Sequence, residues 1–312
     1  MKKGRSKIRH WVGDILINGV ATCMIVPFRC LPPKALIFLS KFLGVILFRL
    51  IRKYRERVIN HLTLAFGKEK EPKEITRIAR EVFFNFILTP LESVYAYVNP
   101  FERFLLKIKI SGEECLQSAL ANKKGVIALG LHLGPFTLVG GRLALQGYRF
   151  NLMYNEGNYP KLWNRLGDYQ RRLGQNPFPM KPITTSLKKS LNALRRNEIL
   201  YLVADEQQRR GGIPIPFFGR TAFTPTGPAL LSLKTGAPIL PMFIIREKNI
   251  SQRLIIRPPI NIERTNHLEK DIETLTIKFT NVIEEIVRQY PSQWSWLNRR
   301  WKTPKDKKFH SH

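Results

Sequence analysis

Five short apolar runs, each followed by a helical or loop segment, constrain this chain more than any other feature. They are GVIALGLH (Gly125 to His132), FNLMYN (Phe150 to Asn155), EILYLVAD (Glu198 to Asp205), APILPMFIIR (Ala237 to Arg246) and RLIIRP (Arg253 to Pro258). Runs of this length read as strands, and strands alternating with helices imply an α/β sheet covered on both faces. From Pro72 to Tyr97 apolar residues recur at three and four, which predicts a helix. A last helix is predicted over Leu268 to Tyr290, with Ile272, Leu275, Phe279, Ile283 and Ile286 on one side. No internal repeat or low-complexity tract interrupts the pattern. One α/β domain over 57–305 is expected, behind a basic and apolar segment at 1–56 and ahead of a basic tail at 306–312.

Charge narrows the partners. Fifty-two Lys and Arg against twenty-three Asp and Glu leave a formal charge of +29. Such an excess attracts polyanions, whether nucleic acid, anionic lipid headgroups or an acidic carrier protein, and a basic surface kept for solubility is the plain alternative. The basic residues are dispersed, with no helix-turn-helix, zinc finger or ribonucleoprotein motif, so no nucleic-acid partner is expected. Cys23, Cys30 and Cys115 lack metal-ligand spacing and cannot pair completely, so they read as small apolar residues in a reducing compartment. With no His/Cys/Asp cluster of ligand spacing, neither a metal nor another cofactor is expected.

The N-terminal segment points to a membrane. MKKGRSKIRH is followed by an apolar stretch from Trp11 to Phe28 that includes Asp14, Asn18 and Pro27. No small-x-small cleavage site follows it. A second stretch, Ala35 to Ile51, carries Lys41 and Arg49. Two imperfect segments around Pro32 and Pro33 suggest a shallow hairpin, or one short span and an interfacial helix, at an anionic lipid surface. Core helices of a soluble domain are the other reading.

In open α/β sheets ligands bind beyond the carboxyl ends of the strands. That rule singles out Leu131 to Thr137 (LHLGPFT) and Asp205 to Gly212 (DEQQRRGG). His132 at a strand end, ahead of Gly134 and Pro135, can present an imidazole to a cleft and take a proton from a hydroxyl. A structural histidine is the alternative. Asp205 and Glu206 could orient a base, or cap the turn and pair with Arg209 and Arg210. Those two arginines with exposed backbone N–H groups suit a phosphate, and a solvated charged turn fits equally.

Taken in order, GVIALGLHLGPF, ADEQ, IPIPFFGRTAFTPTGPAL, TGAPILPMF and the ending YPSQWSWLNRRWK resemble the bacterial lipid A late acyltransferase family, as does RVINHLTLAFG (Arg57 to Gly67). The likeness runs from about residue 50 to 302. It implies transfer of a fatty acyl group from acyl carrier protein to a hydroxyl of an anionic glycolipid, at the cytoplasmic face of the bacterial inner membrane. It also implies a fold like that of the glycerol-phosphate acyltransferases, a mixed sheet flanked by helices. The family hallmark is His-x4-Asp/Glu, whose carboxylate orients the imidazole.

Carried over, His132 matches the histidine and Thr137 falls at the acid position. Threonine can accept a hydrogen bond but carries no charge, and losing an orienting carboxylate costs up to about four powers of ten in the serine-protease triad. Three readings follow. A carboxylate from elsewhere substitutes, Asp205 or Glu206 being best placed. Or a more activated group is transferred by His132 alone, or catalysis is lost and lipid binding kept. The resemblance further implies a functional arginine at Arg171 or Arg172 to grip a phosphate. The turn at Gly134 is the expected supplier of backbone N–H donors to a thioester oxyanion. Thr224, Thr226 and Gly227 suit a phosphate or a helix N-cap. Trp294, Trp296 and Trp301 suit a membrane interface or the core.

Overall fold

The computed structural model describes residues 31–99, 101–155, 167–208, 211–247, 251–265 and 267–301. The apolar stretch Trp11 to Phe28, Cys23, Cys30, Arg209, Arg210 and the tail 306–312 lie outside these. Among the described residues four helices come first: α1 (Pro33–Leu50), α2 (Arg52–Phe66), α3 (Pro72–Val98) and the short α4 (Phe101–Leu105). Then follow β1 (Lys109–Ser111), α5 (Glu113–Ala121), β2 (Val126–Gly130), α6 (Val139–Ala144), β3 (Phe150–Tyr154), β4 (Gln175–Pro179), α7 (Ile183–Arg195) and β5 (Ile199–Val203). A hairpin, β6 (Gly212–Phe217) and β7 (Arg220–Pro225), leads into α8 (Gly227–Thr235), β8 (Ile239–Arg246), β9 (Gln252–Ile256) and α9 (Leu268–Gln289).

Seven strands form one sheet in the order β1-β9-β8-β2-β5-β3-β4, and β6 and β7 pair apart from it. Every neighbour in the large sheet is parallel except β8 and β9. All five predicted strands are present, and so are the two long predicted helices. β2 is buried at all five positions. Because side chains alternate across a strand, Ile127, Leu129, Leu200, Leu202 and Phe243 enter one core with Leu62, Phe83 and Phe279. Val126, Ala128, Ile199, Tyr201 and Met242 enter the other with Leu105, Leu116 and Leu143. The architecture is therefore a mixed, mostly parallel sheet flanked by helices.

Helix α1 turns Leu36, Ser40, Gly44 and Phe48 inward at a spacing of four. A Cβ at Gly44 would sit 3.1 Å from the backbone of Phe84, so glycine lets α1 approach α3 closely. The opposite side exposes Phe38, Phe42, Val45 and Leu50 beside Lys34, Lys41 and Arg49. Among the described residues no helix is long and apolar enough to cross a membrane.

Candidate active site

The chain runs from β2 through β3 and β4 back to β5 on one side of β2, and later places β8 on its other side. The strand order thus reverses at β2, and the crevice at such a reversal is where α/β sheets bind ligands. β2 and β5 pair in parallel, Val126 facing Ile199 and Gly130 facing Val203. Continued two residues past the strands, that register sets His132 against Asp205, the same 73 positions apart. Two strand ends far apart in sequence thereby deliver an imidazole and a carboxylate to one point.

The contact is double. Nδ1 of His132 lies 2.7 Å from Asp205 Oδ1, and the His132 backbone N–H donates to Asp205 Oδ2 at 2.8 Å. Trp294 Nε1 donates to the same Oδ2 at 2.7 Å. Asp205 is almost sealed, with a side-chain exposure of 1%, whereas His132 keeps 24%. Nε2 of the imidazole faces outward, 3.7 Å from the exposed Glu206. Phe136 meets the ring edge-on with centroids 4.9 Å apart. A carboxylate on Nδ1 favours the tautomer with its proton there, which leaves Nε2 free to accept one.

Electrostatics follow from that geometry. Burial alone would lower the His132 pKa, but the Asp205 charge and hydrogen bond, with Glu206 behind them, raise it above the ordinary value. Burial would raise the Asp205 carboxyl, yet the His132 charge and the three N–H donors hold it below the usual range. Arg300, 1% exposed, is pushed down to about 10 by burial, against the opposing pull of Asp205. It bonds the Glu206 carbonyl at 3.3 Å and Thr224 Oγ1 at 2.9 Å.

Position 137 turns elsewhere. Thr137 Oγ1 lies 2.6 Å from Ser93 Oγ on α3, while Thr89 on the same helix donates to the Gly134 carbonyl. The imidazole nitrogen that a carboxylate would orient is already held by Asp205. Among the expected alternatives, the structure thus brings together His132, Asp205 and Glu206, and it docks Thr137 on α3.

Within the turn expected to supply oxyanion donors, the N–H of Gly134 itself is already engaged, donating to the Gln293 carbonyl at 3.0 Å. Its φ of +56° and a would-be clash of any Cβ with the Ile244 carbonyl explain the glycine instead. Arg171 and Arg172 are exposed on a helical turn at 167–172 that leads into the amino-terminal end of β4. That is the end of the parallel sheet opposite His132, and Arg171 is paired with Asp168 at 2.7 Å. Thr224 is buried against Arg300, and Thr226, though at the N-cap position of α8, bonds Gly211 rather than the helix.

What the sequence did not point to is the bond from Trp294 to Asp205. Trp294 lies in the core at 2% exposure, as do Trp296 and Trp301 at 0% and 4%. Trp294 and Trp301 pack on Phe217 of the hairpin, Trp296 packs on both of those tryptophans, and Arg300 caps the phenylalanine at 4.6 Å. Nothing in a Q-W-S-W string distinguishes a donor to a buried carboxylate from a core tryptophan.

Sequence comparison places relatives around this geometry. The profile described as bacterial lipid A biosynthesis acyltransferase matches residues 1–303. The lipid A biosynthesis lauroyltransferase of Escherichia coli K12 is 25% identical over 282 residues, 88% of this chain and 87% of that one. The lipid A biosynthesis myristoyltransferase of the same organism is 24% identical over 303 residues, 95% and 88% of the two chains. A phosphatidylinositol mannoside acyltransferase of Mycobacterium tuberculosis H37Rv is 25% identical over 196 residues, 62% of this chain and 59% of its own.

Proposed function

Since the chain belongs to the bacterial lipid A biosynthesis acyltransferase family, we propose that it moves an acyl group from a thioester to a hydroxyl of a lipid A-type glycolipid, with His132 as general base. The observation that carries this reading is the one-sided imidazole: Nδ1 is fixed by a sealed Asp205 at 2.7 Å while the ring stays 24% exposed. The acceptor oxygen gives its proton to Nε2 and bonds to the thioester carbonyl carbon. The tetrahedral intermediate then collapses, the C–S bond breaks, and the leaving sulfur takes the proton back from the imidazolium. Asp205 orients the ring and stabilises its charged form in between. Of the three readings of Thr137, this is the one in which another carboxylate substitutes.

The substrates follow from charge and from what the relatives are named for. Lipid A and phosphatidylinositol mannoside both name sugar-bearing lipids, so a sugar hydroxyl on an anionic lipid is the proposed acceptor. Glu206 borders the space in front of Nε2 and is proposed to contact that hydroxyl. Arg209 and Arg210 follow Asp205 by four and five residues, a tether of at most about 18 Å, and are the proposed contacts for the acceptor's phosphate. Arg171 and Arg172, at the other end of the sheet, are less suited to that role. Acyl carrier protein, an acidic donor, would be drawn by the excess of +29. The apolar and basic face of α1 supports a site of work at an anionic bilayer surface, and the cytoplasmic side of the inner membrane is the proposed location.

Purified protein supplied with acyl carrier protein and acyl-CoA thioesters and a lipid A precursor should show turnover. His132→Ala should lower turnover per folded molecule by about a hundred- to ten-thousandfold. A folded wild-type protein that binds the lipid and transfers nothing would overturn the enzyme reading in favour of a lipid-binding homologue.

A further inference from the structure

We propose that Trp294 is a positioning residue of the His132–Asp205 pair, and that the segment 291–296 is the brace that sets the distance between the two strand ends. The proposal rests on the reading that this pair acts as one unit, and its test does not need turnover. Asp205 receives three N–H groups, and two of them belong to His132 itself. Those two bonds tie the pair together without tying it to the rest of the molecule. The indole N–H supplies that tie at 2.7 Å.

The same segment also grips the other partner by its main chain. Leu133 and Trp294 form an isolated antiparallel bridge. Ser295 N–H donates to the His132 carbonyl at 2.9 Å, and Gly134 N–H donates to the Gln293 carbonyl at 3.0 Å. One residue thus stands between two backbone bonds to the loop of His132 and makes a side-chain bond to Asp205. The indole has little room to rotate, being packed between Trp296, with centroids 4.6 Å apart and planes at 88°, and Phe217 at 5.8 Å. The β2–β5 register sets His132 opposite Asp205, and the aim of the two side chains past the strand ends is left to other contacts. The brace supplies such contacts from a third direction.

Trp294→Phe removes the donor and keeps an aromatic ring. Site-specific 3-benzothienylalanine at position 294, with sulfur in place of N–H, keeps the full shape should the phenylalanine variant fail to fold. The primary measurement is the titration midpoint of the His132 imidazole by NMR of its C2 proton, assigned with His132→Gln. Without the indole donor, the charge on Oδ2 is less neutralised and the imidazolium is better stabilised, so the midpoint should rise by about half a unit. Where the wild type turns over, kcat should fall about ten- to hundredfold with KM within about twofold. A tryptophan that merely fills space would lower the melting temperature and leave the midpoint in place. A midpoint unmoved in the benzothienyl variant overturns the proposal whatever kcat does. A wild-type protein without turnover overturns the proposed activity and leaves this titration to decide the brace.

Discussion

Two of the acid–base pairs near the carboxyl ends of the strands, both with a buried carboxylate, differ in a way that bears on the proposed site. His132–Asp205 is sealed on one side and open on the other, with exposures of 24% and 1%. Glu92–Arg246, between α3 and the end of β8, is closed on both sides at 2% and 8%. Its guanidinium also bonds Asn85 and Thr89, and Gln252 donates to Glu92 at 2.7 Å. Gln293 further caps the Arg246 main chain at both its N–H and its carbonyl. The closed pair has its polar valences committed within the protein, and it anchors the helix against which the His132 loop is docked. The open pair leaves Nε2 of a partly exposed ring with no hydrogen-bond partner, among the described residues, nearer than the exposed Glu206 at 3.7 Å. Burial and charge are common to both pairs, and the uncommitted Nε2 distinguishes the site from the scaffold.

The sharpest way to break the comparison is Asp205→Asn. An amide in that position can present N–H to Nδ1 and invert the tautomer, so kcat should fall about a thousand- to ten-thousandfold. In the wild type the base must be neutral, so activity should rise with pH through the His132 midpoint, which lies above the ordinary value of about 6.5. Stability has the opposite sign. The raised His132 value contributes fully below about 6.5 and is lost as pH rises through the folded midpoint, while the lowered Asp205 value contributes above about 3.9 and is lost as pH falls through its own. The pair is therefore most stabilising between those two values, and the active form lies at the alkaline side of that window. A pH–rate profile of wild type and variant beside their pH–melting curves checks both signs.

Glu92→Gln tests the closed pair. Removing one partner of a buried ion pair costs about 3–5 kcal/mol, because the other charge stays buried without compensation. Chemical denaturation should show that loss, while kcat per folded molecule stays within about tenfold. A collapse of kcat at unchanged stability would mean that both pairs serve the reaction and that the contrast is false.

Thr137→Glu carries the smallest expected effect. A carboxylate there meets Ser93 on α3 and finds Nδ1 occupied, so activity should not rise and should fall by less than about tenfold. An increase would show that an orienting acid is missing after all and that Asp205 does not supply it. Initial rates at saturating donor suffice to tell.

Legibility in the sequence tracked how local each feature was. Strands β2, β3, β5, β8 and β9 announced themselves by apolar runs, and α3 and α9 by helical spacing. β4 did not, because QNPFP carries two prolines; an edge strand tolerates them, since one side of it makes no ladder. β1, with three residues, is too short to leave a pattern, and β6 carries prolines at exposed positions within a separate hairpin. At the site, His132 and Asp205 were both readable as strand-end residues. That the Gly134 N–H is taken up by the Gln293 carbonyl was not legible, because the closeness of β8 and Gln293 is not written locally.

What the sequence settled by itself was the layered α/β plan, the family likeness and the ends of the strands at which reactive groups could stand, since periodicity and turn residues act over a few positions. The tertiary structure decided that Asp205 meets the imidazole, that Thr137 faces α3, and that an indole from the C-terminal segment completes the carboxylate's hydrogen bonds. Those pairings join residues 73, 44 and 89 positions apart. They follow from strand order and from the docking of separate elements, which no local pattern encodes.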